Sequence, residues 1–216
     1  MRHNLFAVVV AVAMCTASTA VAHEGNPNMQ SVVKSVTPVT SGITLDVLNR
    51  DDRFELTNRS DKAVVIHGYD KEQYARLLPD GTVQVNKRSP AFYLNDDRYA
   101  DVKVPATAEA KAAPRWSTVD KTGRFQWHDH RMHYMAKGVP SSIKDKSRRQ
   151  RIFAYEIPIR IGGEPGAIAG TLLWTPQPDG GPPVAAIVAF VAIAILGIAA
   201  VVITRRRRRG PAKEAW

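Results

Sequence analysis

The chain has 216 residues, a formal net charge of +10, six histidines and a single cysteine. One cysteine excludes a disulfide framework, and the length allows one good domain or two small ones beside any membrane segment. Arg2 supplies one of the ten charges and residues 205–216 a net five, so the modest remainder of +4 offers no basic stripe for nucleic acid.

Residues 1–22 read as a secretory signal: Arg2, an apolar run from Leu5 to Met14, then small residues ending Ala20-Val21-Ala22. Cleavage after Ala22 would remove Cys15 and leave His23 as the new N-terminus. Residues 23–30 lack periodicity and are expected to be a flexible lead-in to an extracytoplasmic β domain over 31–174. Ser31 to Val36, Ile43 to Leu48 and Arg53 to Thr57 are short β-rich runs separated by turn residues. Asn58 to Lys62 supplies the turn into Ala63 to Gly68, and Pro79-Asp80-Gly81 joins Tyr74–Leu78 to Thr82–Asn86 as a hairpin. Arg88-Ser89-Pro90 with Ala91 to Leu94 reads as a strand start. Residues 105–114 form a loop, with a helical turn open to Ala106–Ala113.

Further strands are expected at Arg115–Val119 and Arg124–Met135, then a long loop or short helix over Lys137–Gln150. Ile152–Ile161 and Ala167–Trp174 make a last hairpin across Gly162-Gly163-Glu164-Pro165-Gly166. Many short strands and no amphipathic helix imply a mainly β fold, an immunoglobulin-like β-sandwich of one or two small sheets. Residues 175–183 are a Pro/Gly linker. Val184 to Thr204 follows without a charge, long enough for the roughly 30 Å hydrocarbon core. Five arginines then open a basic tail over 205–216, which the positive-inside rule keeps cytoplasmic. The expectation is a single-pass cell-membrane protein with its N-terminal part outside.

The densest chemistry lies in His128-Asp129-His130-Arg131-Met132-His133-Tyr134-Met135, directly after Trp127. Imidazole and thioether bind soft or borderline transition metals, copper above all. Read as one strand, Phe125 to Met135 divides by alternation. His128, His130, Met132 and Tyr134 share one face; Trp127, Asp129, Arg131, His133 and Met135 share the other. His128, His130 and Met132 are the leading metal candidates, with His133 and Met135 in support. The competing reading is a buried polar network in which Asp129, Arg131 and the histidines satisfy each other and the backbone. His67, before Gly68, reads as structural. Asp51-Asp52 and Asp96-Asp97 read as solvated turn residues. No phosphate loop, G-x-S-x-G elbow or H-E-x-x-H helix is present, so no catalytic residue is expected and the protein is read as non-enzymatic.

Three resemblances bear on these residues. His128-x-His130-x-Met132-His133 is similar to the H-x-H-x-D-H motif of the metallo-β-lactamase superfamily, but Met132 replaces the aspartate and no histidine follows His133, so nothing carries over. His23 as a new N-terminus resembles the amine-plus-imidazole copper ligand of periplasmic copper-resistance proteins and copper-dependent polysaccharide oxygenases, which implies His23 as a further metal ligand. Phe54-Glu55-Leu56-Thr57-Asn58, Arg88-Ser89-Pro90, Trp127-His128-Asp129-His130-Arg131 and Leu172-Leu173-Trp174 together resemble a group of membrane-anchored extracytoplasmic proteins of high-GC Gram-positive bacteria. That resemblance implies fold and topology and no activity. Two functions follow: extracytoplasmic binding of copper or another transition metal, or a ligand-free module packing against an envelope protein. In the second, Ala185, Ala189 and Gly197 offer a helix-association stripe.

Overall fold

A computed structural model describes residues 27–176 and 184–208. It divides into two units, residues 1–176 and 177–216. The first is a two-sheet β structure. Among the described residues ten strands run in chain order: β1 (Met29–Thr37), β2 (Ile43–Leu48), β3 (Arg53–Asn58), β4 (Val64–His67), β5 (Gln73–Leu77), β6 (Val83–Asn86), β7 (Trp116–Asp120), β8 (Arg124–Trp127), β9 (Gln150–Ile161) and β10 (Glu164–Trp174). Seven form an antiparallel sheet in the order β1-β10-β9-β4-β5-β6-β7, and three form a second in the order β2-β3-β8.

Alternation sets which side of each strand is buried. In β3, Phe54, Leu56 and Asn58 turn inward; in β9, Tyr155, Ile157, Ile159 and Ile161 do so while Glu156, Pro158 and Arg160 face out. One core joins both sheets: Phe54 and Leu56 of β3 and Phe125 and Trp127 of β8 pack with Val64, Ile66, Leu77, Val85 and the β9 isoleucines. Each fully buried side chain of this size contributes about 1.5–3 kcal/mol, which is why a cysteine-poor chain needs no staple. Gly170 on β10 leaves room for the Tyr155 ring, since a Cβ there would lie 2.2 Å from it. Tyr155 thereby reaches over β10 and hydrogen-bonds Ser31 on β1 at 2.7 Å.

Three stretches differ from the sequence expectation. Met29 and Gln30, expected in the flexible lead-in over 23–30, pair with Trp174 and Leu173 in β1, and Met29 is buried in the cluster with Leu172 and Trp174. Residues 90–94 form a short helix, α1 (Pro90–Leu94), with proline at its start, where the fixed φ suits a helix and the missing N–H costs nothing. The strand expected over Arg124–Met135 stops at Trp127. Its partner β3 begins at Arg53, so the ladder ends at the Phe54–Trp127 pair and the chain leaves the sheet. The Asn58–Lys62 turn is as expected: the Asn58 side chain donates to the Lys62 and Leu77 carbonyls and accepts from Ser60.

The second unit holds α2 (Val184–Arg208). Within Ile187–Arg207 an 18-residue stretch without a charge is wholly unburied, so among the described residues this is one helix long and apolar enough to cross a membrane. A single-pass membrane protein fits these observations.

Candidate metal centre

Beyond Trp127 the chain turns on Asp129. Its carboxylate accepts the Arg131 backbone N–H at 3.1 Å, and the Met132 N–H donates to its carbonyl at 3.1 Å. An aspartate bonding the backbone two residues on is a turn signal, and it breaks the two-residue alternation. The run therefore separates into three environments.

Asp129 and Arg131 form the expected buried polar network. Asp129 is fully buried and accepts from Arg131 Nε and Nη2 at 2.8 Å each and from Trp127 Nε1 at 3.1 Å. Arg131 also donates to the His67 carbonyl at 3.0 Å, and its guanidinium lies over the Tyr69 ring. Met132 is 0 % exposed and belongs to the hydrophobic core, among the residues packed with Phe54 and Trp127.

The three histidines come together. His128, His130 and His133 each offer one ring nitrogen, all within 4.8 Å of one another. His128 Nε2 lies 2.7 Å from His133 Nε2. The grouping crosses the face division expected for a strand, because the turn at Asp129 swings His133 back toward His128. Met135 is exposed and lines a cleft with His130 and His133. His23 lies outside the described residues.

A nitrogen of each ring is also directed at an oxygen. His130 Nε2 donates to the Asp97 carbonyl at 2.8 Å, and His133 Nδ1 to the Tyr134 carbonyl at 3.2 Å. His128 Nδ1 stands 3.5 Å from the Asp52 carboxylate. A carbonyl can only accept, so His130 carries a proton on Nε2 and His133 one on Nδ1. Tyr69 fixes the His130 ring, stacking on it at 5.6 Å while its hydroxyl accepts the His130 backbone N–H at 3.0 Å.

Asp51 and Asp52 are not solvated turn residues. They are 0 % and 2 % exposed, in the turn between β2 and β3. Arg98 neutralises them, with Nη2 2.8 Å from Asp51 and Nη1 3.7 Å from Asp52, and Arg53 adds a 3.0 Å contact to Asp52. Sequence reading misses this because Arg98 is some 45 residues away and only the tertiary fold supplies the counter-charge. Asp97 does keep a turn role, its carboxylate accepting the Tyr99 and Asp101 amides. The His67 ring bonds the Lys71 carbonyl at 2.9 Å, as befits a structural residue.

Burial, then the Arg98 guanidinium, pushes the His128 imidazole down to about 4. Burial, then the neighbouring His128 ring, pushes His133 down to about 3. Both are therefore neutral at pH 7 and keep a lone pair available for an electrophile. Beside the triad, His130, His133, Tyr134, Met135 and residues 153–156 of β9 line a cleft of about 640 Å³. No protein-family model, curated protein or solved structure matches the chain.

Proposed function

We propose that this protein is a membrane-anchored extracytoplasmic metal-binding module, with His128, His130 and His133 as the ligands and a divalent transition metal as the cargo. The observation that carries the reading is the convergence of the three rings, one nitrogen of each within 4.8 Å of the others, with His130 Nε2 and His133 Nδ1 bonded to carbonyls and His128 Nδ1 facing the Asp52 carboxylate. Metal-bound histidines are oriented in this way, by an oxygen on the far nitrogen.

The 2.7 Å contact of His128 Nε2 with His133 Nε2 is a hydrogen bond between neutral rings, one N–H donating to the other ring's lone pair. A metal ion would displace that proton and take both lone pairs. A tetrahedral ion with bonds of 2.0–2.1 Å sets its nitrogens about 3.3 Å apart, so a rotation opening this pair by about half an ångström makes room.

Three imidazoles suit copper, zinc, iron or nickel, and the Irving–Williams order makes Cu(II) the tightest. The core position of Met132 withholds its thioether from the site, which favours Cu(II) over Cu(I). The role is binding, with no catalytic step assigned. The helix Ile187–Arg207 fits the anchor, and the five arginines from Arg205 give it an inward C-terminus.

The test is titration of the detergent-solubilised full chain with Cu(II), Zn(II) and Cu(I). Binding tighter than about 10 µM is expected for Cu(II), lost in His128→Ala/His133→Ala and weakened about 10- to 100-fold in Asp52→Asn. Binding that the double substitution leaves unchanged, or no binding, returns the histidines to the polar network and the protein to a ligand-free envelope module.

A further inference from the structure

The cleft beside the triad has an unusual floor. Phe153, Ala154, Tyr155 and Glu156 all line it, although consecutive residues of a strand point to opposite faces. Four in a row line one cavity when the strand meets it edge-on. β9 is twelve residues long and pairs with β10 along its length except for a bulge at Ile152, but β4 covers it only at Ile159–Ile161. No described strand pairs with the remaining edge.

The phase of that edge follows from the hydrogen bonds. The Gly162 N–H donates to the Ala63 carbonyl at 2.9 Å, so even-numbered residues turn their backbone toward the β4 side. The register with β10 is unshifted from Ile161 back to Phe153, which carries this phase to Ala154 and Glu156. Pro158 fits the same phase, lacking an N–H just where β4 stops. Ala154 and Glu156 thus direct two N–H and two C=O groups at the cleft. His130 and His133 line the same cavity. A metal held by three imidazoles keeps one corner for another donor.

We propose that the cleft takes an extended peptide carrying a histidine, which adds as a short strand to the β9 edge and places its imidazole on the metal. Main-chain pairing supplies affinity and the metal supplies selectivity for the side chain. The edge has room for about four peptide residues at ~3.3 Å each, and the apolar walls from Phe153, Tyr134 and Met135 suit a β-branched flank. The proposal rests on the metal reading above and names what meets the bound ion: a histidine-bearing segment of a partner protein that gives up or receives the metal.

The probe is fluorescein-labelled acetyl-Thr-Val-His-Val-Thr-amide, followed by anisotropy against the full chain in nanodiscs, with Zn(II) affinity measured first on each sample. Binding is expected with Zn(II) and weakens about tenfold or more on chelation of the metal, on replacing the probe's histidine with alanine, or on N-methylating its pairing amides. Glu156→Pro removes one cleft N–H and no β9–β10 bond; it is expected to lose the peptide while keeping Zn(II) affinity within about twofold. An N-methylated probe that binds equally, or free imidazole that binds as tightly as the peptide, overturns the strand addition. Zinc binding with no peptide binding overturns this inference and leaves the metal site standing, whereas no zinc binding removes both.

Discussion

His128 and His133 carry a pH dependence whose sign can be worked out. Their folded values near 4 and 3 lie below the ordinary histidine value of 6.5. Between those limits the unfolded chain binds protons that the native state refuses, so the metal-free protein is stabilised as pH rises and reaches its full share above about 6.5. As pH falls toward 4 that share is lost, with a slope of up to about 2.7 kcal/mol per pH unit if both rings refuse their protons. Chemical denaturation of metal-free protein at intervals from pH 4.5 to 7 reads the slope directly. His128→Phe/His133→Phe is expected to flatten it over this range. An equal slope in that variant would place the dependence elsewhere. Metal adds to the stability at pH 7 in proportion to RT ln(1 + [metal]/Kd), so a denaturation midpoint that rises with Cu(II) in wild type and stays put in the variant is the companion signature.

At the level of elements, the loop after β8 is shaped by Asp129 and pinned by Met132. The methionine inserts into the core, while the histidines on either side of it turn to the triad. Met132→Ala is expected to cost about 2–5 kcal/mol through the cavity it opens, measured by urea unfolding. Cu(II) affinity at saturating folded protein should change far less than in His133→Ala; a loss as large as that of the histidine variant would instead make the thioether a ligand. The same loop marks the limit of what alternation can tell. β3 and the second half of β9 were legible because one buried face alternates along them, and the Asn58–Lys62 turn because asparagine bonds nearby backbone. The His/Met run was legible in composition and not in shape. Asp129 two residues before Arg131 was the available turn signal, and the strand's end depended on where β3 begins, a tertiary fact. Asp52 as the orienting group of His128 was equally out of reach, because its burial depends on Arg98 arriving from another part of the chain.

At the scale of the whole molecule, the two units divide the work. Every group in the triad and its supports, from Asp51 to Glu156, belongs to the first unit, and the apolar span belongs to the second. The core that holds the loop is complete without α2: all its buried residues fall between Phe54 and Ile168. The satellite cluster of Met29, Ile143, Leu172 and Trp174 closes the ends of β1 and β10. Trp174 is locked there by donating to the Lys146 carbonyl at 3.0 Å, and the Arg50 guanidinium donates to Thr175 Oγ1 at 2.5 Å. A chain ending after Pro176 therefore keeps every contact on which the site depends. Residues 27–176 expressed alone are expected to stay in the soluble fraction after membrane sedimentation, while the full chain pellets with the membrane. Their Cu(II) affinity should match that of the full chain within about twofold, since the helix supplies location and no ligand. A truncated protein that folds by far-UV circular dichroism yet binds copper much more weakly would show that the second unit contributes to the site. One that fails to fold would overturn the separation of core and anchor.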